Sequence, residues 1–525
     1  MDNNAIFIVY ASEGGNAKQL AEDFAKRCSD LSICYELLTL NAFSEQPFAK
    51  SRAVFFVSTT GTGEFPANGC EFEESSLLQT SHLSGFSYTI FALGNPSYSQ
   101  FCGAGKTLQQ VFLNKSAVSL QPMVLAGANF LELYASWALK VLVQLSGLSE
   151  QELKTSLAEF AQKPTQLYQV KQRICLTAPQ SESETYHLVL ATEQEPLPYQ
   201  LGDVIAIEPV NEQKKVDALL TLLELTPDDT IEKHGELFTV ESFLLNKVEI
   251  TKINESVIKK TGAILHDWAL LTQASSSTDV EALQAQYDLY HWLQKYPIPK
   301  EEITSFMAEL PEKSPRYYSI ASDPQISPKE LHLTVALHTQ HFDDRGSYGL
   351  GSGALCQNLP MNTDFSVSLE SHPSFHLQTQ QPMIWIAVGT GVAPFIGFLS
   401  RIMQLFPSDR PHITFYYGVR SEEEDFLYGD FLTKCAEEGV IDLQMSFSRS
   451  GPSKRYVQHV MVEQMEKVSA LIAQNAHLYI CGSQPMWQEV ETVIQHSVLQ
   501  VQEDMEAAKE YWTELSETRM HKEIY

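Results

Sequence analysis

Short apolar runs set the rhythm of the first part of the chain. IFIVYAS (6–12), AVFFVST (53–59) and YTIFALG (88–94) are continuous, and each passes into a polar, Gly-rich loop. Helical spacing through Leu20, Phe24 and Ala25 follows the first run. Continuous runs suit strands covered on both faces, so this repetition of strand, loop and helix predicts a doubly wound α/β domain. The apolar helix FLELYASWALKVLVQL (130–145) closes it, giving a first domain over 1–147. Residues 148–172 are polar and read as a linker with a helix in it.

From Tyr186 the pattern changes to alternation. YHLVLATEQ, the turn in YQLGDVIAIEP (199–209), RYYSIAS (316–322), LHLTVALH (331–338) and DFSVSLE (364–370) predict an antiparallel barrel from 173–210 and 313–378. Between these halves, residues 211–312 are patterned mainly as helices and read as an insertion. A second α/β series occupies 379–525. Its strands are predicted in PMIWIAVGTG (382–391), ITFYYGV (413–419), DLQMSFS (442–448) and HLYICGS (477–483).

Composition narrows the class. The 525 residues suffice for three or four domains, and 44% hydrophobic against 19% charged residues excludes a chain disordered throughout. Sixty-five acidic against 36 basic side chains leave a net charge of −29. Nucleic-acid and anionic-membrane partners are thereby excluded, whereas a basic protein partner is favoured. No run reaches the roughly 18 apolar residues of a bilayer span, and the opening MDNNAIFIVYAS lacks a signal-peptide pattern. Eight Cys without a CxxC pair fit free thiols in a reducing, cytoplasmic compartment. The 15 His and eight Cys show no metal-ligand spacing.

Candidate chemistry lies in loops at strand ends, where open α/β sheets bind ligands. ASEGGNA (11–17) places backbone N–H groups at a helix start, either as a phosphate cradle or as a plain Gly-rich turn. STTGTGEFPANG (58–69) is too long and polar for a minimal connection. LGNPSYSQFC (93–102) offers aromatics that either stack on a planar ring or pack on the sheet edge. In the barrel, Arg316, Tyr318 and Ser319 supply a cation, a ring and a hydroxyl. In the last domain, Gly389-Thr390-Gly391 follows a strand and opens a helix, and cationic and hydroxyl side chains follow two later strands.

Taken in order, these segments resemble the NADPH-dependent diflavin reductases, over residues 5–525. SEGGNA, STTGTGEFPANG and ALGNPSYSQFCGAGK are similar to the three FMN loops of that family's flavodoxin-like domain. The resemblance implies that Ser12, Gly15, Asn16 and Ala17 bind the FMN phosphate. Thr59, Thr60, Gly61, Gly63, Asn95, Tyr98 and Phe101 would line the ring. Gly14 stands where the family usually has Thr, a lost hydroxyl worth about 1–1.5 kcal/mol of FMN affinity if nothing replaces it.

RYYS (316–319) and GLGSGAL (349–355) resemble the FAD segments of ferredoxin–NADP reductase-like barrels, implying FAD contacts from Arg316, Tyr318, Ser319, Gly349, Gly351 and Ser352. GTGVAPF (389–395), with Ala387-Val388 where Gly-Pro is usual, resembles the NADP turn. It implies nucleotide contacts from Gly389, Thr390, Gly391, Arg420, Ser448, Arg449, Lys454, Tyr456 and Gln458. Cations after the strand at 442–448 favour NADP over NAD. The resemblance further implies that Ser319, Cys481 and Glu523 surround the reacting flavin and nicotinamide atoms, with Tyr525 stacked on the FAD ring. Glu523 replaces the family's usual Asp.

The expected activity is electron transfer from NADPH to FAD, to FMN, and on to a separate haem or iron–sulfur protein. SRSGPSKRYVQ and the acidic helices ending in Tyr525 bring the chain nearest to flavoprotein subunits of NADPH-dependent sulfite reductases, implying their hemoprotein as acceptor. Glu64, Glu71, Glu73 and Glu74 beside the proposed FMN ring loop would steer that basic partner. Two alternatives stand beside this: the same electron chain serving another haem or redox acceptor, and a flavin-poor binding or assembly subunit.

Overall fold

A computed structural model describes residues 6–12, 15–44, 52–61, 63–74, 83, 85–94, 100–127, 130–149, 153, 165–233, 236–340, 347–450, 454–502 and 504–525. The chain divides into two compact units, one made of 1–163, 209–315 and 341–345, the other of the remainder.

The first unit begins with a parallel sheet of β1 (Ile6–Ala11), β2 (Tyr35–Thr39), β3 (Arg52–Ser58), β4 (Ser87–Leu93), β5 (Val118–Ser119) and β6 (Val124–Ala126). Its order is β2-β1-β3-β4-β5, with β6 also paired to β4. The continuous apolar runs have the physical reason expected of them. Ile8, Val54 and Phe91 face helices 16–30 and 130–146, while Val9, Phe55 and Ile90 face the helix 103–114. This order reverses between β1 and β3, so the loops leaving those strands flank the crevice where a doubly wound sheet takes its ligand.

The same unit contains the insertion, with seven α-helices among the described residues between Gln213 and Ala308, packed around the fully buried Trp292. Against the helical expectation, it also carries a hairpin of β10 (Thr230–Lys233) and β11 (Glu236–Thr239). TIEK and ELFT are too short and too charged to signal strands. At the neck of the insertion, Lys313 Nζ donates to the carbonyls of Pro209 (2.7 Å) and Leu245 (2.8 Å), and Lys313 N to that of Lys247 (2.9 Å).

The second unit opens with a six-stranded antiparallel sheet. Its strands are β7 (Thr165–Cys175), β8 (Thr185–Ala191), β9 (Val204–Ile207), β12 (Arg316–Ser319), β13 (Glu330–Ala336) and β16 (Asp364–Glu370). The order is β12-β9-β16-β7-β8-β13, and an Ile320–Leu333 bridge joins the two ends into a barrel. β14 (Thr339–Gln340) and β15 (Ser347–Tyr348) form a separate small hairpin. β7 begins at Thr165, inside the segment read as linker. Only Tyr168 and Val170 of this strand are buried, so its Gln, Lys and Arg positions masked the alternation.

A second parallel sheet follows: β17 (Met383–Val388), β18 (Ile413–Val419), β19 (Asp442–Phe447), β20 (His477–Gly482) and β21 (Met520–Ile524), in the order β19-β18-β17-β20-β21. Trp385, Phe395, Phe398 and Phe415 pack one face, and Ile384, Ile386, Tyr416 and Trp487 the other. β21 was not foreseen, because MHKEI carries no strand pattern. Its pairing sets Glu523 opposite Cys481.

Candidate functional site

At the crevice of the first sheet, Gly15 (φ 86°) turns the chain from β1 into helix 16–30. An L side chain would be strained in that left-handed position. Among the described residues no side chain caps the helix, and its first turn carries no acid, an arrangement whose N–H groups suit an anion. The Ser12 amide is fixed by Asn68 Oδ1 at 3.0 Å, whereas Ser12 Oγ is buried without a hydrogen bond among the described residues. Asn16 is half-buried and Ala17 buried beneath the turn. A hydroxyl without a partner among the described residues, beside a helix start, is a donor set that suits a phosphate.

The second loop is closed by reciprocal Thr60–Glu64 backbone bonds of 3.0 Å, and Thr59 Oγ1 accepts from Ala104 N at 3.3 Å. Gly61 and Gly63 lie within this turn, and the start of helix 103–114 approaches it closely at Gly103. Phe101 is half-buried nearby, with Lys106 Nζ 6.0 Å from its ring centroid. Gly14, Asn95 and Tyr98 lie outside the described residues. Glu64 and Glu71 are exposed. Asn68, which tethers Ser12, was not singled out from sequence; its only signal was its place in PANG.

In the second unit, β12 presents Arg316, Tyr318 and Ser319. The turn 349–353 lies against them so closely that a Cβ on Gly351 would come within 2.5 Å of Arg316 Cγ and 2.7 Å of the Tyr318 hydroxyl. Gly349 N donates to His338 O (2.7 Å), and Ser352 Oγ accepts from His338 N (3.1 Å). This is a backbone cradle beside a cation and a phenol ring, a donor set that suits a pyrophosphate and a flavin.

The parallel sheet brings the remaining groups to one place. β17 enters the Gly389-Thr390-Gly391 turn, which opens the helix 393–402. Gly391 rests on the Cys481 carbonyl, and Thr390 Oγ1 hydrogen-bonds the Tyr525 hydroxyl at 3.0 Å. Tyr525 N donates to Gly482 O (3.0 Å), and the residue as a whole remains 58% exposed. Ser319 Oγ donates to Glu523 Oε1, while Glu523 Oε2 is buried without a partner among the described residues. Burial drives the Glu523 carboxyl up to about 7, against a smaller downward pull from Ser319. The Cys481 thiol is fully buried, and both that burial and the neighbouring Glu523 raise it well above its ordinary range. Thus Ser319, Cys481, Glu523, Tyr525 and Thr390 form one connected group.

The cations are less free than their sequence suggests. Arg420 makes a two-point ion pair with Asp425 (2.7 and 2.8 Å) and also donates to Ser183 and Ser181. Arg449 donates to Glu182, a residue with no sequence signal. Ser448 N is bound to Val419 O at 3.0 Å. Lys454 and Tyr456 are exposed, and Gln458 Oε1 is buried without a partner among the described residues.

Three family models match the chain in order. They are Flavodoxin over 8–137, FAD binding domain over 158–242 and 267–354, and Oxidoreductase NAD-binding domain over 385–492. Curated relatives align with most of its length. The chain is 27% identical to the sulfite reductase [NADPH] flavoprotein alpha-component of Vibrio cholerae, covering 99% of this chain and 87% of that protein. The protein of the same name from Vibrio parahaemolyticus is 29% identical, with 90% and 78% covered, and that of Yersinia pestis 26%, with 99% and 90%. Flavodoxin, FAD-binding and NAD-binding domains joined in this order carry electrons from NADPH through FAD to FMN, so the chain is an NADPH-dependent flavoprotein reductase similar to these relatives.

Proposed function

We propose that this reductase is the flavoprotein component of a sulfite-reducing system, passing electrons to a separate haem and iron–sulfur protein in the cytoplasm. The observation that carries the reading of this site is the Ser319–Glu523 bond beside Cys481, with Tyr525 above the nucleotide turn. The acceptor is inferred from the sulfite reductase relatives, which align almost end to end. Eight free thiols fit a reducing compartment. Exposed Glu64 and Glu71 support docking of a basic partner at the FMN edge.

Within this proposal, Ser12, Gly15, Asn16 and Ala17 hold the FMN phosphate, and Thr59, Thr60, Gly61, Gly63, Asn95, Tyr98 and Phe101 enclose its ring. Arg316, Tyr318, Gly349, Gly351 and Ser352 hold FAD. Gly389, Thr390 and Gly391 take the dinucleotide pyrophosphate. Ser448, Arg449, Lys454, Tyr456 and Gln458 take its adenosine end, with Arg420 bracing them from its Asp425 pair. When bound, the flavins supply the step from two-electron to one-electron transfer. Burial would keep a proton at Glu523 with Ser319 orienting its carboxyl, while Cys481 and Tyr525 would be among the residues that hold the flavin ring and the nicotinamide.

Two outcomes test the function. Purified protein should carry both FMN and FAD, counted separately, and should oxidise NADPH in response to sulfite only with the hemoprotein present. Colourless protein that stays so with added flavins would favour the flavin-poor reading. Reduction of another haem protein, without sulfite-dependent turnover, would favour the other acceptor. Cys481→Ala should slow flavin reduction by NADPH about tenfold through lost positioning, with the visible flavin spectrum intact; rapid mixing measures it. Removing Tyr525 should narrow the preference for NADPH over NADH by roughly tenfold, read from the two kcat/KM values.

A further inference from the structure

The loop between β7 and β8 is pinned to the nucleotide domain by several independent bonds. Ala178 N donates to Glu424 O (2.9 Å), Ser181 Oγ donates to Asp425 Oδ1 (2.7 Å), and Arg420 reaches both Ser181 and Ser183. Arg420 is itself fixed by Asp425, and Arg449 N donates to Arg420 O at 2.7 Å. A loop held at 178, 181 and 183 presents Glu182 to the Arg449 guanidinium. The two side chains keep 72% and 53% of their surface, so nothing but charge pairing favours their contact.

We propose that Glu182 is a built-in competitor for the nucleotide's 2′-phosphate, occupying Arg449 until that phosphate displaces it, and so sets how strongly the chain prefers NADPH over NADH. The inference rests on the reading of Arg449 as a cation for that phosphate. A guanidinium offers the same two-point fork to a carboxylate and to a phosphate, so the two anions exclude one another on one face of Arg449. The tethered loop cannot swing far away, so the displaced carboxylate also stays within the roughly 8 Å over which charges act in physiological salt. Both effects oppose a ligand carrying a 2′-phosphate and leave one without it untouched. Glu182 is then a specificity determinant contributed by the barrel to a site built mainly on the other sheet.

The test is calorimetric titration of the full chain with 2′,5′-ADP and with 5′-AMP, which lacks the 2′-phosphate. Glu182→Gln should tighten 2′,5′-ADP about two- to fivefold, the range of an exposed ion pair, and leave 5′-AMP unchanged. Arg449→Ala should weaken 2′,5′-ADP. If Arg449→Ala weakens binding and Glu182→Gln does nothing, the competitor role is overturned and the role of Arg449 stands. If Arg449→Ala changes nothing, both fall. Equal tightening of the two ligands by Glu182→Gln would mean a general charge effect and overturn the proposal. Glu182→Ala should reproduce the sign of Glu182→Gln, and an opposite sign overturns it as well.

Discussion

Glu523→Gln is expected to slow flavin reduction by NADPH roughly ten- to a hundredfold while making the folded chain more stable above neutral pH. Both effects follow from one carboxyl. β21 sets it opposite Cys481, Ser319 satisfies one oxygen, and the other oxygen is buried without a partner among the described residues. Burial raises its pKa from 4.5 to about 7, so the folded chain retains a proton there that the unfolded chain has released. The stability contributed by that proton is fully present below about pH 4.5 and is lost as pH rises through about 7. At about 1.4 kcal/mol per pH unit, the loss is on the order of 3 kcal/mol.

Glutamine stays neutral throughout, so the variant escapes that loss. It also cannot exchange a proton at neutral pH, which is why the rate falls. Denaturant midpoints near pH 5 and near pH 8 read the stability, and rapid mixing reads the rate. A stability gain of equal size at both pH values would show that the carboxyl is not desolvated. An unchanged rate would remove Glu523 from the proposed proton path.

Gly391→Ala is expected to abolish tight dinucleotide binding, by more than about tenfold, and to destabilise the chain by about 1–3 kcal/mol while flavin content persists. The cause is steric. A Cβ at this position would lie 2.2 Å from the Cys481 carbonyl oxygen and 2.8 Å from its carbon. Both atoms belong to the backbone of a buried strand, so the turn must move instead. Gly389 provides the internal comparison: its φ is 56°, yet nothing lies within 4 Å of the added carbon. Gly389→Ala therefore carries only backbone strain, about 1 kcal/mol, and should bind 2′,5′-ADP better than Gly391→Ala. Equal loss in the two variants would contradict the close approach to Cys481.

Much of the scaffold could be read from residue pattern because the strands that build it are buried on both faces. Val54, Phe55 and Phe56 alternate between two cores, as do Ile384, Trp385 and Ile386, and such runs have no polar face to dilute them. β7 and β21 escaped for the opposite reason. Each spends one face on solvent or on a polar site, and MHKEI earns its strand from pairing with β20 alone. The candidate group around Cys481 was assembled from motif resemblance, but the Ser319–Glu523 bond and the Thr390–Tyr525 contact depend on pairings between segments far apart in sequence. Side-chain commitments were the least legible. Nothing in GVR or SRS indicates that Arg420 is already held by Asp425, or that Arg449 faces Glu182.

The neck of the helical insertion bears on how the flavin barrel comes into being. β9 and β12 are sheet neighbours, with Arg316 opposite Ile207, although the whole insertion separates them along the chain. Closing a flexible loop of that length would cost about 4 kcal/mol of chain entropy before any barrel contact repaid it. The insertion has its own core around Trp292, and Lys313 ties its exit to the Pro209 carbonyl at its entrance. An insertion that folded first would turn that long-range encounter into a local one, and barrel assembly would then follow a helical nucleus. A segment with no assigned chemistry would then set the folding rate of the flavin pocket.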